Sequence, residues 1–189
     1  MIVKDKEAVK IVFVLDESGS MGHLRQDVIG GFNTTIADQK KIEGEADVTL
    51  ITFASTIKTV FENKPLTDVV DLTTASYSPS GGTAMNDAIG IALSRILDDS
   101  PAKAIINIFT DGYENASREY APEQVKELVK LAEAKGYQVV FLAANIDEVA
   151  VGASFGFAKG ATRSFVADGV GMEYAYLQAS ASTTNYRTQ

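Results

Sequence analysis

The sequence predicts a doubly wound α/β fold, with a mostly parallel sheet, helices on both faces and one antiparallel edge strand. Three observations carry this expectation. Residues 11–15 (IVFVL), 104–109 (AIINIF) and 139–143 (VVFLA) are near-continuous apolar runs, the pattern of central parallel strands covered on both sides rather than of strands with one wet face. Segments with a helical repeat separate these runs, and alternation of strand with helix is what parallel pairing through crossovers requires. One pair of strand-like runs, 48–53 and 56–61, is separated only by Ala54 and Ser55. That connection is too short for a crossover and suits a hairpin.

After the first strand, Leu24, Val28, Phe32 and Ile36 recur every fourth residue and share one helical face. The first arm of the hairpin is apolar, but the second carries Lys58 and Thr59 and reads as the antiparallel edge. Met85, Ala88, Ile89, Ala92, Leu93 and Ile96 form the inner face of a second helix. Beyond strand 104–109, a third helix has Pro122 near its start, an apolar face of Val125, Leu128, Leu131 and Ala132, and Gly136 past its end. Strand 139–143 leads to a short helix over 147–155 interrupted by glycines, a short last strand at 163–166 and a final helix from 168 to about 181. The polar stretch 182–189 reads as a flexible tail.

No proline- or serine-rich linker divides the 189 residues, and 46% of them are hydrophobic, enough for one sizeable core. Residues 1–189 are therefore expected to form a single domain. Absence of cysteine removes disulfides and thiolate zinc sites from consideration. Lys4, Asp5, Lys6 and Glu7 precede the first apolar run, which is far too short for a signal-peptide core or a membrane span. A cytoplasmic protein with no membrane partner is expected. The net charge of −8 weighs against nucleic acid as a partner, because phosphate would be repelled over most of the surface.

In a doubly wound fold, ligands bind at the carboxyl ends of the strands, and three segments bring oxygen chemistry to that edge. In KIVFVLDESGSMG an apolar strand opens into a loop where Asp16, Ser18 and Ser20 alternate, so that their side chains can converge on one side. SGGTAMNDAI presents Thr83 after two glycines and before a helical pattern, and IINIFTDGYEN ends a strand at Thr110, Asp111 and Gly112. The candidate donors Asp16, Ser18, Ser20, Thr83 and Asp111 are all hard oxygens, a set suited to Mg²⁺ or Mn²⁺ rather than zinc. Singly, each has a structural reading as well. Ser18 and Ser20 are turn residues beside glycines, Thr83 is a helix N-cap, and Asp111-Gly112 is a turn dipeptide. Their joint placement at strand ends and helix starts points to a metal site.

DxSGSM, GGTA and TDGxxN, in this order and at these separations, resemble the von Willebrand factor type A (vWA) domain and its metal-ion-dependent adhesion site (MIDAS). The likeness covers nearly the whole chain. It implies a Rossmann-like vWA fold, and the segment ANIDEVAVGASFGF is similar to compact bacterial or phage members. It further implies that Ser18, Ser20 and Thr83 reach the metal, Mg²⁺ or Mn²⁺, while Asp16 and Asp111 act largely through water. A protein partner would supply an Asp or Glu to the ion. With neutral hydroxyls nearest to it, the cation keeps much of its attraction for an incoming anion. The expected function is a metal-dependent protein-binding module, not an enzyme.

Rival readings fit less of the chain. A metal-dependent phosphohydrolase would need a catalytic partner, but His23 is the only histidine and position 18 is Ser where an aspartyl-nucleophile enzyme would place a second acid. Nucleotide binding lacks both GxGxxG and GxxxxGK[ST]. The main alternative is a structural or oligomerising component of a phage or bacterial assembly, with self-association; an exposed apolar patch would favour it. Glu114 and Asn115 read as shaping the TDGxxN loop or its rim. Asp87 suits the helix dipole or a bond to the metal loops, and Tyr113, Tyr120, Tyr174 and Tyr176 read as contact surface or half-buried packing.

Overall fold

The computed structural model describes residues 8–144, 147–158 and 160–189. The charged residues 1–7, and residues 145 and 146 of the ANIDEVAVGASFGF segment, lie outside the described residues. The strands are β1 (Val9–Asp16), β2 (Ala46–Phe53), β3 (Ile57–Pro65), β4 (Ala104–Thr110), β5 (Gln138–Ala144) and β6 (Thr162–Phe165). The helices are α1 (Arg25–Gln39), α2 (Met85–Asp99), α3 (Pro122–Ala134), α4 (Glu148–Phe155) and α5 (Gly169–Thr188). One sheet runs in the order β3-β2-β1-β4-β5-β6. All neighbours are parallel except β2 and β3, so the polar arm of the hairpin is indeed an antiparallel edge.

The continuous apolar runs have a simple cause. Along β1, Ile11, Phe13 and Leu15 enter the core layer shared with Val28 and Phe32 of α1 and with Met172 and Tyr176 of α5. Val12 and Val14 enter the opposite layer, with Ile89 and Leu93 of α2 and Val125 and Val129 of α3. A strand buried on both faces has no position at which a polar side chain would reach water. Gly31 lets α1 and α5 meet closely, since a Cβ there would stand 2.2 Å from the Tyr176 ring, and that ring stacks on Phe109 with centroids 4.3 Å apart.

β1 pairs with β2 on one side and β4 on the other, so the chain reverses its winding direction beside β1. The crevice at such a switch point is where doubly wound sheets take ligands. Asp16 ends β1 and Thr110 ends β4, and both lie at that edge.

Two expectations need correction. On α3, Val125, Val129 and Ala132 are buried while Leu131 is 54% exposed; at 100° per residue, 125, 129 and 132 fall in one stripe and 131 turns away. The supposed tail is also helical, with α5 continuing to Thr188 and Ser182, Thr183 and Arg187 buried. Short polar side chains there pack against polar partners rather than solvent, as with Asn107 Nδ2 donating to Thr183 Oγ1 at 3.3 Å. Among the described residues, no helix is long and apolar enough to cross a membrane.

Candidate metal centre

Asp16 is fully buried, and its two carboxylate oxygens are both occupied. Oδ1 accepts the Ser18 N–H at 2.8 Å and Oδ2 accepts the Thr110 hydroxyl at 2.6 Å. The first bond folds the loop back on the strand end, and the second ties β1 to β4. Beyond it the chain forms a 3-10 turn, Gly19–Leu24, before α1, and buried Met21 and Leu24 anchor that turn to the core. Ser18 Oγ then lies 3.1 Å from Ser20 Oγ, whose hydroxyl donates to Asp111 Oδ1 at 2.6 Å.

Thr83 comes from the second loop. Its N–H donates to Asn115 Oδ1 at 2.8 Å, and its carbonyl accepts the Asn115 N–H at 3.0 Å. Asn115 thus holds the second loop to the third, in the rim role expected of it. The helix-capping alternative for Thr83 does not hold. The N-cap position of α2 is Ala84, with no side-chain cap bond, and Glu114 instead accepts the Asn86 N–H at 2.8 Å. The same carboxylate accepts the backbone N–H groups of Ala116 and Ser117 and the Ser117 hydroxyl, so Glu114 shapes its loop. Asp87 bonds to the backbone N–H groups of Arg118, Glu119 and Tyr120 rather than to the metal loops.

Gly112 shows what lies between the loops. A Cβ placed on it would be 3.6 Å from Thr83 Oγ1 and 3.8 Å from Ser20 Oγ, so hydroxyls from the first and second loops come within van der Waals reach of the third. Carboxylates alone would not make this site. No cluster of three or more His, Cys, Asp or Glu side chains able to hold a metal exists among the described residues. The five candidate donors are two carboxylates and three hydroxyls, which fit a hard divalent ion. Burial pushes the Asp16 carboxyl above its ordinary value, against the hydrogen bonds from Ser18 and Thr110, and the nearby Asp111 charge pushes the same way. A cation would reverse that balance.

Several positioning residues carry no motif. Tyr77, fully buried, donates its hydroxyl to the Asp16 carbonyl at 2.5 Å. Glu17 accepts the Ser78 N–H and pairs with Lys58 at 3.1 Å, fastening the loop after β3 to the sheet edge. Arg25 Nε donates to the Tyr77 carbonyl at 3.2 Å, and Asn33 exchanges two bonds with Leu72. The only sequence trace of this arrangement is an irregular set of apolar residues, Leu66, Val69, Leu72 and Tyr77, in a stretch with neither period. His23 sits at the rim with its ring nitrogens 2.8 Å from the Ser20 carbonyl and 3.1 Å from that of Ala167. These carbonyls, Ala167 first, raise its pKa.

The model of the von Willebrand factor type A domain family matches residues 10–168. No curated protein matches the chain in sequence. Among solved structures, the chain is similar to the PilB minor pilin from Streptococcus sanguinis, with a TM-score of 0.69 and 12% identity over 97% of this chain and 63% of that one. It is similar to the manganese-loaded TRAP protein of Plasmodium vivax, with a TM-score of 0.61 and 16% identity over 89% and 72% of the two chains. A third is proximal thread matrix protein 1 of the mussel byssus with a zinc-occupied MIDAS motif, with a TM-score of 0.64 and 12% identity over 91% and 47%. This chain therefore spans less than two thirds of the pilin and about half of the byssus protein. At these identities the likeness is one of fold.

Proposed function

The chain belongs to the von Willebrand factor type A domain family, and from that premise we propose that it is a metal-dependent protein-binding module. It holds one Mg²⁺ or Mn²⁺ on Ser18, Ser20 and Thr83, with Asp16 and Asp111 in support, and takes an Asp or Glu from a protein partner onto the ion. The observation that supports this reading most is the gathering of the Thr83 and Ser20 hydroxyls beside Gly112, where a Cβ would stand 3.6 and 3.8 Å from them. Thr83 has no capping task to explain its hydroxyl. The ion would supply Lewis acidity toward an incoming carboxylate, while the chain's own part is to hold neutral oxygens close and the buried Asp16 charge behind them. The single histidine, His23, has both ring nitrogens facing backbone carbonyls.

Calorimetric titration should find about one magnesium or manganese ion per chain. Immobilised protein should retain a partner in magnesium and release it in chelator. Thr83→Ala should weaken both steps, yet leave stability in chelator within about 1 kcal/mol of the parent, since the buried side chain gives up one methyl and no cap. A partner held equally well in chelator would remove the metal from the recognition.

A second reading, an oligomerising component of a larger assembly, draws on one feature. Val170, Tyr174 and Leu177 are 77%, 52% and 58% exposed along α5, an apolar stripe at helical spacing. Metal-independent self-association in sedimentation would favour it over the first.

A further inference from the structure

Next to the oxygen-lined space is a cavity of about 210 Å³ lined by Met85, Gly112, Tyr113, Pro122, Phe141 and Phe155 among others. Met85 begins the helix that follows Thr83, and Gly112 borders both spaces. Phe141 and Phe155 are buried side chains with ring centroids 5.7 Å apart. Tyr113, 70% exposed, stands at the rim. The one charged residue of the lining, Glu114, has both oxygens engaged by Asn86, Ala116 and Ser117. The cavity lining is thus largely aromatic and aliphatic, with its one carboxylate already engaged in hydrogen bonds, and its volume falls below the usual ~300–1,000 Å³ of pockets for drug-sized ligands. It is the size for one side chain.

We propose that this cavity receives an apolar side chain, aromatic or branched aliphatic, from the same partner segment that places its acidic residue on the metal. The inference rests on the metal-bridged reading above. Recognition then has two parts at adjoining positions. The carboxylate satisfies the ion, and the apolar neighbour fills the cavity, which makes selection depend on a pair of residues rather than on charge alone. In extended chain, residues one or two positions from the acid reach about 3–7 Å along the surface, so a flanking side chain can be presented beside Gly112, which borders both spaces.

Capped pentapeptides with a central Asp test this directly, one carrying only Gly around the acid and others carrying Phe or Leu at one flanking position. Binding to the full chain is followed by NMR titration in magnesium and in chelator, with Asp→Asn peptides as controls. Peptides with Phe or Leu at the favoured position should bind about 10- to 100-fold more tightly than the glycine peptide, as expected for burying one apolar side chain. That advantage should vanish in Ser154→Trp, a substitution in the cavity lining outside the metal loops, while magnesium affinity and melting temperature stay unchanged. Equal affinities across the panel in magnesium would overturn the inference and leave the metal reading intact. So would magnesium binding without response to any peptide. Apolar peptides that bind equally in chelator, or with Asn in place of Asp, would show a cavity acting apart from the ion and would overturn the paired recognition. Failure of the protein to bind magnesium at all would remove both readings together.

Discussion

Asp16→Asn is expected to lower magnesium affinity by about 100-fold while leaving the metal-free protein folded and no less stable. In the proposed site the carboxylate would stand behind the hydroxyls, so that its charge would reach the ion without touching it, and outer partners of this kind typically contribute ~10–100-fold. The upper end applies because the group is fully buried and little water screens it. The stability half follows from the sign of the shift. An acid whose folded pKa is raised contributes stability that is fully present below the ordinary carboxylate value and is lost as pH rises through the raised value. At neutral pH without metal, Asp16 therefore costs stability, and asparagine removes that cost while keeping an oxygen for the Ser18 N–H. Urea unfolding in chelator across the acid range should show a pH slope in the parent that is reduced in the variant. Parent-like magnesium binding by a folded Asp16→Asn protein would sink the assignment of the site.

Arg187→Ala is expected to cost about 2–4 kcal/mol of folding stability, although the residue is third from the end of the chain. Its Nη1 donates to the carbonyl of Gln39 at 2.7 Å and to its side-chain oxygen at 3.1 Å. Its Nη2 reaches the carbonyls of Ile42 and Gly44 at 3.3 and 2.8 Å. These acceptors lie at and just beyond the end of α1, where helix carbonyls lack internal partners and the dipole favours a cation. Removing the guanidinium takes a buried donor from the Gln39 carbonyl and side-chain oxygen and a part-buried one from Ile42 and Gly44, and bonds from a charged donor are worth ~1.5–3 kcal/mol each before relaxation. Lysine should rescue only part of the loss, since one ammonium cannot span acceptors that the planar fork meets together. Denaturant midpoints at constant slope would measure it. A loss below about 0.5 kcal/mol would mean that the clasp contributes nothing.

The two regions just discussed differ in how far the sequence disclosed them. Asp16, Ser18, Ser20, Thr83 and Asp111 were legible because each sits in a short contiguous motif at the end of an apolar run, and local pattern is what sequence carries best. Strands β1, β4 and β5 were legible for the related reason that burial on both faces leaves an unbroken apolar signature. Tyr77 and Glu17 were not. Their partners, the Asp16 carbonyl and the Ser78 N–H, are backbone groups, which leave no residue-type signal. Arg187 was hidden in the same way, by carbonyl acceptors more than 140 positions away, and the polar composition of 182–189 read as solvent-exposed chain. Leu131 was placed inward on hydrophobicity alone, where the stripe through Val125, Val129 and Ala132 decides otherwise.

The Ser20–Asp111 hydrogen bond joins residues 91 apart in the chain, and the Thr110–Asp16 bond residues 94 apart. On the proposed reading, an ion seated among these loops would act as a reversible staple between segments 91 to 94 residues apart. Such a staple cannot form until β4 has docked beside β1, because closing so long a loop carries an entropy cost that only sheet formation offsets. The expectation is that it forms late, after the folding transition state. Magnesium should slow unfolding and leave the folding rate nearly unchanged, moving only the unfolding arm of the chevron. The lifetime of the folded chain under protease or mechanical load would then follow the concentration of free ion.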